Sequence, residues 1–257
     1  MKSGYIAFFD SGMGGVSVLA AAKKMLPEED FIYLGDVANA PYGDKSTEEV
    51  RAMVLESLNI LHPWGLKALV VACNTATSVS IIQLRERLQI PVLGMEPALK
   101  PAVRDSIGSV VVLGTSLTLK EEKFHNLMEK MGTAKEIIPL SCPGLVELIE
   151  KDPQMPEIGE YLRNILLPYR ENMGGIVLGC THYVFLRPWL KTLLPEVQVF
   201  DGNEGVCRQL QKILTTQELL GGGTGQIIWL SSLKKEKNEI FMDKCWDFYD
   251  FYNSMIG

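Results

Sequence analysis

Ala68-Leu69-Val70-Val71-Ala72-Cys73-Asn74-Thr75-Ala76 and Gly175-Ile176-Val177-Leu178-Gly179-Cys180-Thr181-His182-Tyr183 are the two stretches from which the fold can be read. Each is an unbroken apolar run of strand length that ends on a cysteine, followed at once by amide, hydroxyl or imidazole side chains. Runs of this kind mark strands covered on both faces, as in parallel sheets. Ligands of open α/β sheets bind beyond the carboxyl ends of such strands, and that is where Cys73 and Cys180 fall.

Outward from these two runs, further strands are expected over residues 5–9, 31–34 and 91–93 in the first half, and over residues 109–113, 137–140 and 197–200 in the second. Stretches of helical periodicity separate them. Val16, Leu19, Ala20 and Leu26 can share one helix face, with Pro27 at its stop. Corresponding landmarks keep a nearly constant offset: Cys73 to Cys180 is 107 residues, Pro91 to Gln198 is 107, and Asp10 to Gly114 is 104. The pattern predicts an α/β protein of two pseudo-symmetric lobes, each a mostly parallel sheet flanked by helices, with the active site in the cleft between them. The lobes are expected as residues 1–97 plus a returning segment 207–257, and residues 98–206. Residues 221–225 read as a flexible glycine turn that lacks the Gly-Lys-Ser/Thr ending of a phosphate loop.

Composition narrows the function classes. A chain of 257 residues with 47% hydrophobic content can fill two such cores. A net charge of −6 without a concentrated basic face argues against a nucleic-acid partner, and the Lys234-Lys235-Glu236-Lys237 patch reads as a solvated face. The apolar run after Lys2, with Ala20-Ala21-Ala22 imitating a cleavage site, is interrupted by Asp10, Gly12, Gly14 and Gly15. No export signal or membrane span is therefore expected, and the chain reads as cytoplasmic. Five cysteines, an odd number with no C-x-x-C pair, read as reduced thiols. His62, His125 and His182 show no metal-ligand spacing, so no metal is expected.

Phe8-Phe9-Asp10-Ser11-Gly12-Met13-Gly14-Gly15 reads as a strand and a glycine-rich turn opening a helix, with backbone N–H groups offered to an anion. A dinucleotide fingerprint would need glycine or alanine where Ser17 stands, and an aspartyl-phosphate enzyme would need a carboxylate at Gly12. Asp10 and Ser11 read instead as polar groups lining a small-molecule pocket. Burial alone accounts for Cys142, Cys207 and Cys245. It does not account for Cys73 and Cys180, whose polar neighbours need partners that a ligand between the lobes would supply. A helix N-terminus after such a cysteine is expected to lower its pKa and favour the thiolate.

Asp10-Ser11-Gly12-x-Gly14-Gly15, Pro41-Tyr42-Gly43, Cys73-Asn74-Thr75-Ala76 and Gly179-Cys180-Thr181-His182-Tyr183, in this order and spacing, closely resemble the bacterial glutamate racemases of the aspartate/glutamate racemase superfamily. The resemblance spans about residues 5 to 205. It implies interconversion of L- and D-glutamate without a cofactor, D-glutamate being a building block of peptidoglycan, with Cys73 and Cys180 as the two acid/base groups. It further implies that Asp10, Ser11, Pro41, Tyr42, Gly43, Asn74, Thr75, Thr115, Thr118, Thr181 and His182 form the substrate site. Asp10 should assist the first cysteine, and Glu150 and His182 the second.

The chain departs from the family's pattern at Val184, Leu145 and Glu147, and beyond about residue 210. There Cys245-Trp246-Asp247-Phe248-Tyr249 reads as an aromatic helix packed on its own lobe or on a second copy in a homodimer. Rival readings are a racemase of aspartate or a hydantoin, a Cys73/His182 thiol hydrolase, and a non-enzymatic amino-acid-binding protein. Aspartate-specific members commonly have glutamate where His182 stands, which favours glutamate.

Overall fold

The computed structural model describes residues 4–131 and 135–256; Lys2 and the side chains of Lys235 and Glu236, in the mixed charged patch, lie outside the described residues. The first lobe runs β1 (Tyr5–Asp10), α1 (Val16–Met25), β2 (Phe31–Gly35), α2 (Thr47–Ser57), β3 (Leu66–Val71), α3 (Asn74–Arg87) and β4 (Val92–Gly94). A short helix, α4 (Leu99–Asp105), leads into the second lobe: β5 (Ser109–Gly114), α5 (Ser116–Lys120), α6 (Glu122–Met131), β6 (Ile137–Ser141), α7 (Leu145–Lys151), α8 (Pro156–Leu166), β7 (Met173–Leu178), α9 (Arg187–Leu193) and β8 (Gln198–Phe200). The chain then returns through α10 (Asn203–Thr216), β9 (Ile227–Ser231) and α11 (Lys235–Ile256).

Four strands of the first sheet repeat the topology of the second, and β9 extends the first by one. One is ordered β4-β3-β1-β2-β9 and the other β8-β7-β5-β6, every pairing parallel. The register slips at matching places, between Tyr5 and Ile6 in β1 and between Ser109 and Val110 in β5. Cys73 therefore follows β3 as Cys180 follows β7, each beside the strand that opens its lobe.

Alternation along the strands decides how the lobes join. Ile6 and Phe8 face a core that also contains Val111, Leu113, Ile176 and Leu178, so one apolar cluster is shared by both sheets. Ala7, Phe9, Leu69 and Val71 face outward under α2 and α3, and Val110, Val112 and Val177 do the same in the second lobe. Each fully buried side chain of this size contributes about 1.5–3 kcal/mol, so the shared cluster is a strong reason for the lobes to stay together.

The returning segment supplies a strand that the glycine-turn reading did not foresee. β9 adds to the edge of the first sheet beside β2. Its approach is clasped by a buried ion pair between Lys67 and Glu29, with Lys67 also donating to the Gly221 carbonyl (3.0 Å) and Glu29 accepting from the Gly221 amide (2.6 Å). The returning helix α10 begins at Asn203, so it crosses the boundary expected at 206/207 and packs on α1. The aromatic helix α11 touches both lobes of its own chain: Phe241 stacks on Tyr33, and Phe248 meets Phe185 edge-on at 4.8 Å. Among the described residues, no helix is long and apolar enough to cross a membrane.

Candidate active site

Cys73 and Cys180 line one cleft between the lobes, 5% and 7% exposed. The Cys73 sulfur caps α3, accepting from the Ala76 amide at 3.4 Å, and lies 3.5 Å from Ser11 Oγ. The Cys180 sulfur lies 3.8 Å from His182 Nδ1, because the chain after β7 curls into a short 3-10 turn over Thr181–Leu186 that brings the imidazole back beside the thiol. Ser11, Pro41, Tyr42, Gly43, Asn74, Thr75, Thr115, Thr181 and His182 complete the expected lining. Asp10, Thr118 and Glu150 do not line the cleft; they stand behind the residues that do.

Sequence reasoning missed Cys142, Tyr183 and the mouth residues Asp44, Ser116, Pro143, Gly144, Val146 and Glu147. Cys142, assigned above to burial alone, stands in the lining because β6 ends beside β5 at the cleft. Glu147 had been noticed only as a departure from the family's pattern. No lysine or arginine is among the lining residues.

The glycine-rich turn after β1 is not an anion cradle. Its amides face protein groups: the Gly12 N–H donates to Asp10 Oδ1 (2.9 Å) and the Met13 N–H to Glu150 Oε1 (3.1 Å), while the Gly14 N–H is covered by the His182 ring, 3.1 Å from Nε2. The glycines serve close approach instead. A β-carbon on Gly12 would run into Glu150 Oε1, and one on Gly14 would sit 2.5 Å from both His182 Nδ1 and Thr181 Oγ1. The turn is thus the seam along which the first lobe presses on Glu150, Thr181 and His182 of the second.

Around His182 the proton positions follow from geometry. Nε2 is 2.7 Å from Glu150 Oε1 and cannot donate there while accepting from Gly14; the shorter contact to a carboxylate places a proton on Nε2. Burial opposes a charged imidazole, but the hydrogen bonds and charges of Cys180 and Glu150 outweigh it and hold His182 well above its ordinary value. Burial also pushes Glu150 up, and His182 with the Met13 amide more than reverses this, leaving the carboxyl below its ordinary range.

The first half-site behaves differently. Burial, reinforced by the charge of Asp10, pushes the Cys73 thiol up to about 12. The helix N-terminus is expected to favour the thiolate; one amide at 3.4 Å does not offset burial together with the charge of Asp10. Burial likewise holds Asp10 above the usual carboxylate range despite His182 and the Gly12 and Thr181 donors. Asp10, expected beside the first cysteine, accepts from Thr181 Oγ1 at 3.0 Å, so it belongs to both half-sites.

Hydroxyls close the cleft across the lobes. Thr75 Oγ1 lies 2.9 Å from Thr115 Oγ1 and 3.0 Å from Thr118 Oγ1, the Gly43 carbonyl accepts from the Leu117 amide at 3.1 Å, and Thr47 Oγ1 donates to Glu121 at 2.6 Å. Tyr42 is fixed by donating to the buried Asp36, which also accepts from Asn39 Nδ2. Among the described residues, Asn74 Oδ1 is buried without a partner. A buried orphan acceptor in a cleft lining marks the place of a ligand donor.

Comparison with known proteins agrees with this geometry. Residues 16–210 match the Asp/Glu/Hydantoin racemase family. A glutamate racemase from Clostridium perfringens is 47% identical over 219 residues, covering 83% of this chain and 84% of its own, and one from Clostridium acetobutylicum is 46% identical over 243 residues, covering 92% and 95%. Among solved structures, a glutamate racemase isoform from Bacillus anthracis superposes with a TM-score of 0.85 at 29% identity, covering 96% of this chain and 95% of that one. The Escherichia coli glutamate racemase, solved with L-glutamate and the activator UDP-MurNAc-Ala, gives 0.84 at 29% identity, covering 98% and 96%. With the family matched over most of its length and both thiols set at equivalent strand ends, the chain belongs to the Asp/Glu/Hydantoin racemase family.

Proposed function

We propose that this protein interconverts L- and D-glutamate by two-base proton transfer between Cys73 and Cys180, without a cofactor, and supplies D-glutamate for peptidoglycan in the cytoplasm. One observation carries the reading: two thiols at equivalent ends of matched strands line a single cleft yet have unlike proton partners, Ser11 and a helix amide for one, His182 and Glu150 for the other.

In the unliganded site Cys73 keeps its proton and is the acid. Opposite it, the Cys180–His182–Glu150 chain accepts a proton. By the resemblance to the glutamate racemases this form suits L-glutamate: Cys180 removes the α-proton, Cys73 delivers its own to the other face, and D-glutamate results. The Cys73 thiolate left behind is held by the Ser11 hydroxyl and the Ala76 amide, and this second form suits D-glutamate, with the roles exchanged.

Charge that develops on the α-carboxylate must be stabilised by neutral donors, because the lining contains no lysine or arginine. The Asn74 amide and the Thr75 and Thr115 hydroxyls of the lining are placed for this, whereas the Thr181 hydroxyl is committed to Asp10. A nearby guanidinium would hold the substrate but trap the thiolate as an ion pair. Each positioned acid or base contributes about 10²–10⁴-fold. Incubation with L-glutamate, read by chiral chromatography, should yield D-glutamate to a 1:1 mixture; Cys73→Ala and Cys180→Ala should each remove it. Full racemisation by either variant would refute the two-base reading.

A further inference from the structure

Tyr33 lies at the middle of β2, fully buried, its ring between Trp229 (5.5 Å between centroids) and Phe241 (6.4 Å). Its hydroxyl donates to the Gly12 carbonyl at 2.8 Å. The Met13 N–H, which donates to Glu150 Oε1 at 3.1 Å, belongs to the same peptide unit. Tyr33 O–H, the carbonyl and N–H of one planar amide, the Glu150 carboxylate and His182 Nε2 therefore form a continuous hydrogen-bonded chain ending beside Cys180. A donor on an amide oxygen polarises that amide and strengthens its N–H as a donor, and the planar peptide transmits position as well as charge.

We propose that Tyr33 is a positioning residue for the second half-site, acting through the Gly12–Met13 peptide to orient and polarise Glu150 against His182. Tyr33 is not among the cleft-lining residues, and among the described residues its hydroxyl bonds only to the Gly12 carbonyl. The same turn carries Ser11, 3.5 Å from the Cys73 sulfur, so its placement matters to both faces of the substrate. The inference rests on the racemase reading given above, and deepens it.

Tyr33→Phe deletes the hydroxyl and keeps the ring. It should lower kcat by about 3- to 10-fold, the size set by one neutral hydrogen bond, with KM nearly unchanged. Two readouts separate positioning from general packing. The Nε2 resonance of His182 in ¹⁵N spectra of the unliganded protein should shift, and the kcat loss should vanish when Glu150→Gln is already present. Phe241→Leu, which leaves the hydroxyl in place, should keep kcat within about twofold. An unmoved His182 resonance, an equal loss in the Glu150→Gln background, or an equal loss in Phe241→Leu would overturn the proposal. Absence of glutamate racemisation by the unaltered protein would instead overturn the underlying reading, leaving the ¹⁵N test of the Tyr33–Glu150 link intact.

Discussion

Gly14 lies so close to His182 that a β-carbon added to it would sit 2.5 Å from Nδ1 and 2.6 Å from the His182 backbone nitrogen. The imidazole can turn away, but the backbone cannot, so Gly14→Ala must displace the β1–α1 turn from the second lobe. Displacements of about 1 Å at a reacting centre cost on the order of 100-fold in rate. Gly14→Ala should therefore lose about two orders of magnitude in kcat and about 1–3 kcal/mol of stability, as overpacked sites do. Steady-state kinetics and thermal melting check both; a variant with native kcat would show that the seam is slack.

Asn74 gives the opposite pattern. Its Oδ1 is buried and unpartnered in the free protein, so Asn74→Ala removes an unmet acceptor and should leave the melting temperature within a degree or two. Substrate binding should suffer, with KM for glutamate raised about 10-fold or more for a lost hydrogen bond to a charged group. Calorimetric titration with D-glutamate checks this; unchanged affinity would place the substrate away from α3.

The strands of the repeated plan were legible as apolar runs, continuous where β1, β2, β3, β5 and β7 are buried on both faces, and Cys73 and Cys180 each stood at the end of one. β9 was not recognised: residues 227–231 follow a glycine segment, and what docks them is the Lys67–Glu29 pair and Gly221, groups that meet only after folding. The part of the site carried by the four motifs was legible as well. Cys142, directly after β6, was explained by burial alone, and the mouth residues on α7 carry no motif. The misread glycine turn shows the limit most clearly: its amides look free in sequence, but the groups that face Met13 and Gly14 lie 137 and 168 residues away.

Alkaline stability follows from the buried thiols. Burial pushes Cys73, Cys142 and Cys207 up to about 12 from the ordinary 9.0. The folded chain keeps these protons where the unfolded chain has lost them, so the contribution is full below pH 9 and is lost as pH rises toward 12. The slope is about 1.4 kcal/mol per pH unit for each thiol. Urea midpoints at pH 8, 9.5 and 10.5 should fall in that order. Iodoacetamide should label Cys73 of the unliganded protein at pH 8 far more slowly than a model thiol, since thiolate is the reacting form.

Lys67 and Glu29 have side chains only 4% and 3% exposed and lie at the opposite end of β3 from Cys73. Lys67→Met strands a buried carboxylate and should cost about 3–5 kcal/mol, with kcat at low temperature unchanged. Chemical denaturation together with kinetics at 15 °C checks the pairing of these outcomes. A large fall in kcat without loss of stability would mean that the clasp communicates with the cleft.

Proton transfer by two separate bases is tested most directly by following one glutamate enantiomer in D₂O at early conversion. Two thiols on opposite faces predict solvent deuterium almost entirely in the newly formed enantiomer, because the proton removed by one cysteine is not the one returned by the other. Equal labelling of recovered substrate and product would contradict this, pointing to a single shared base and leaving the matched positions of Cys73 and Cys180 without a catalytic reason.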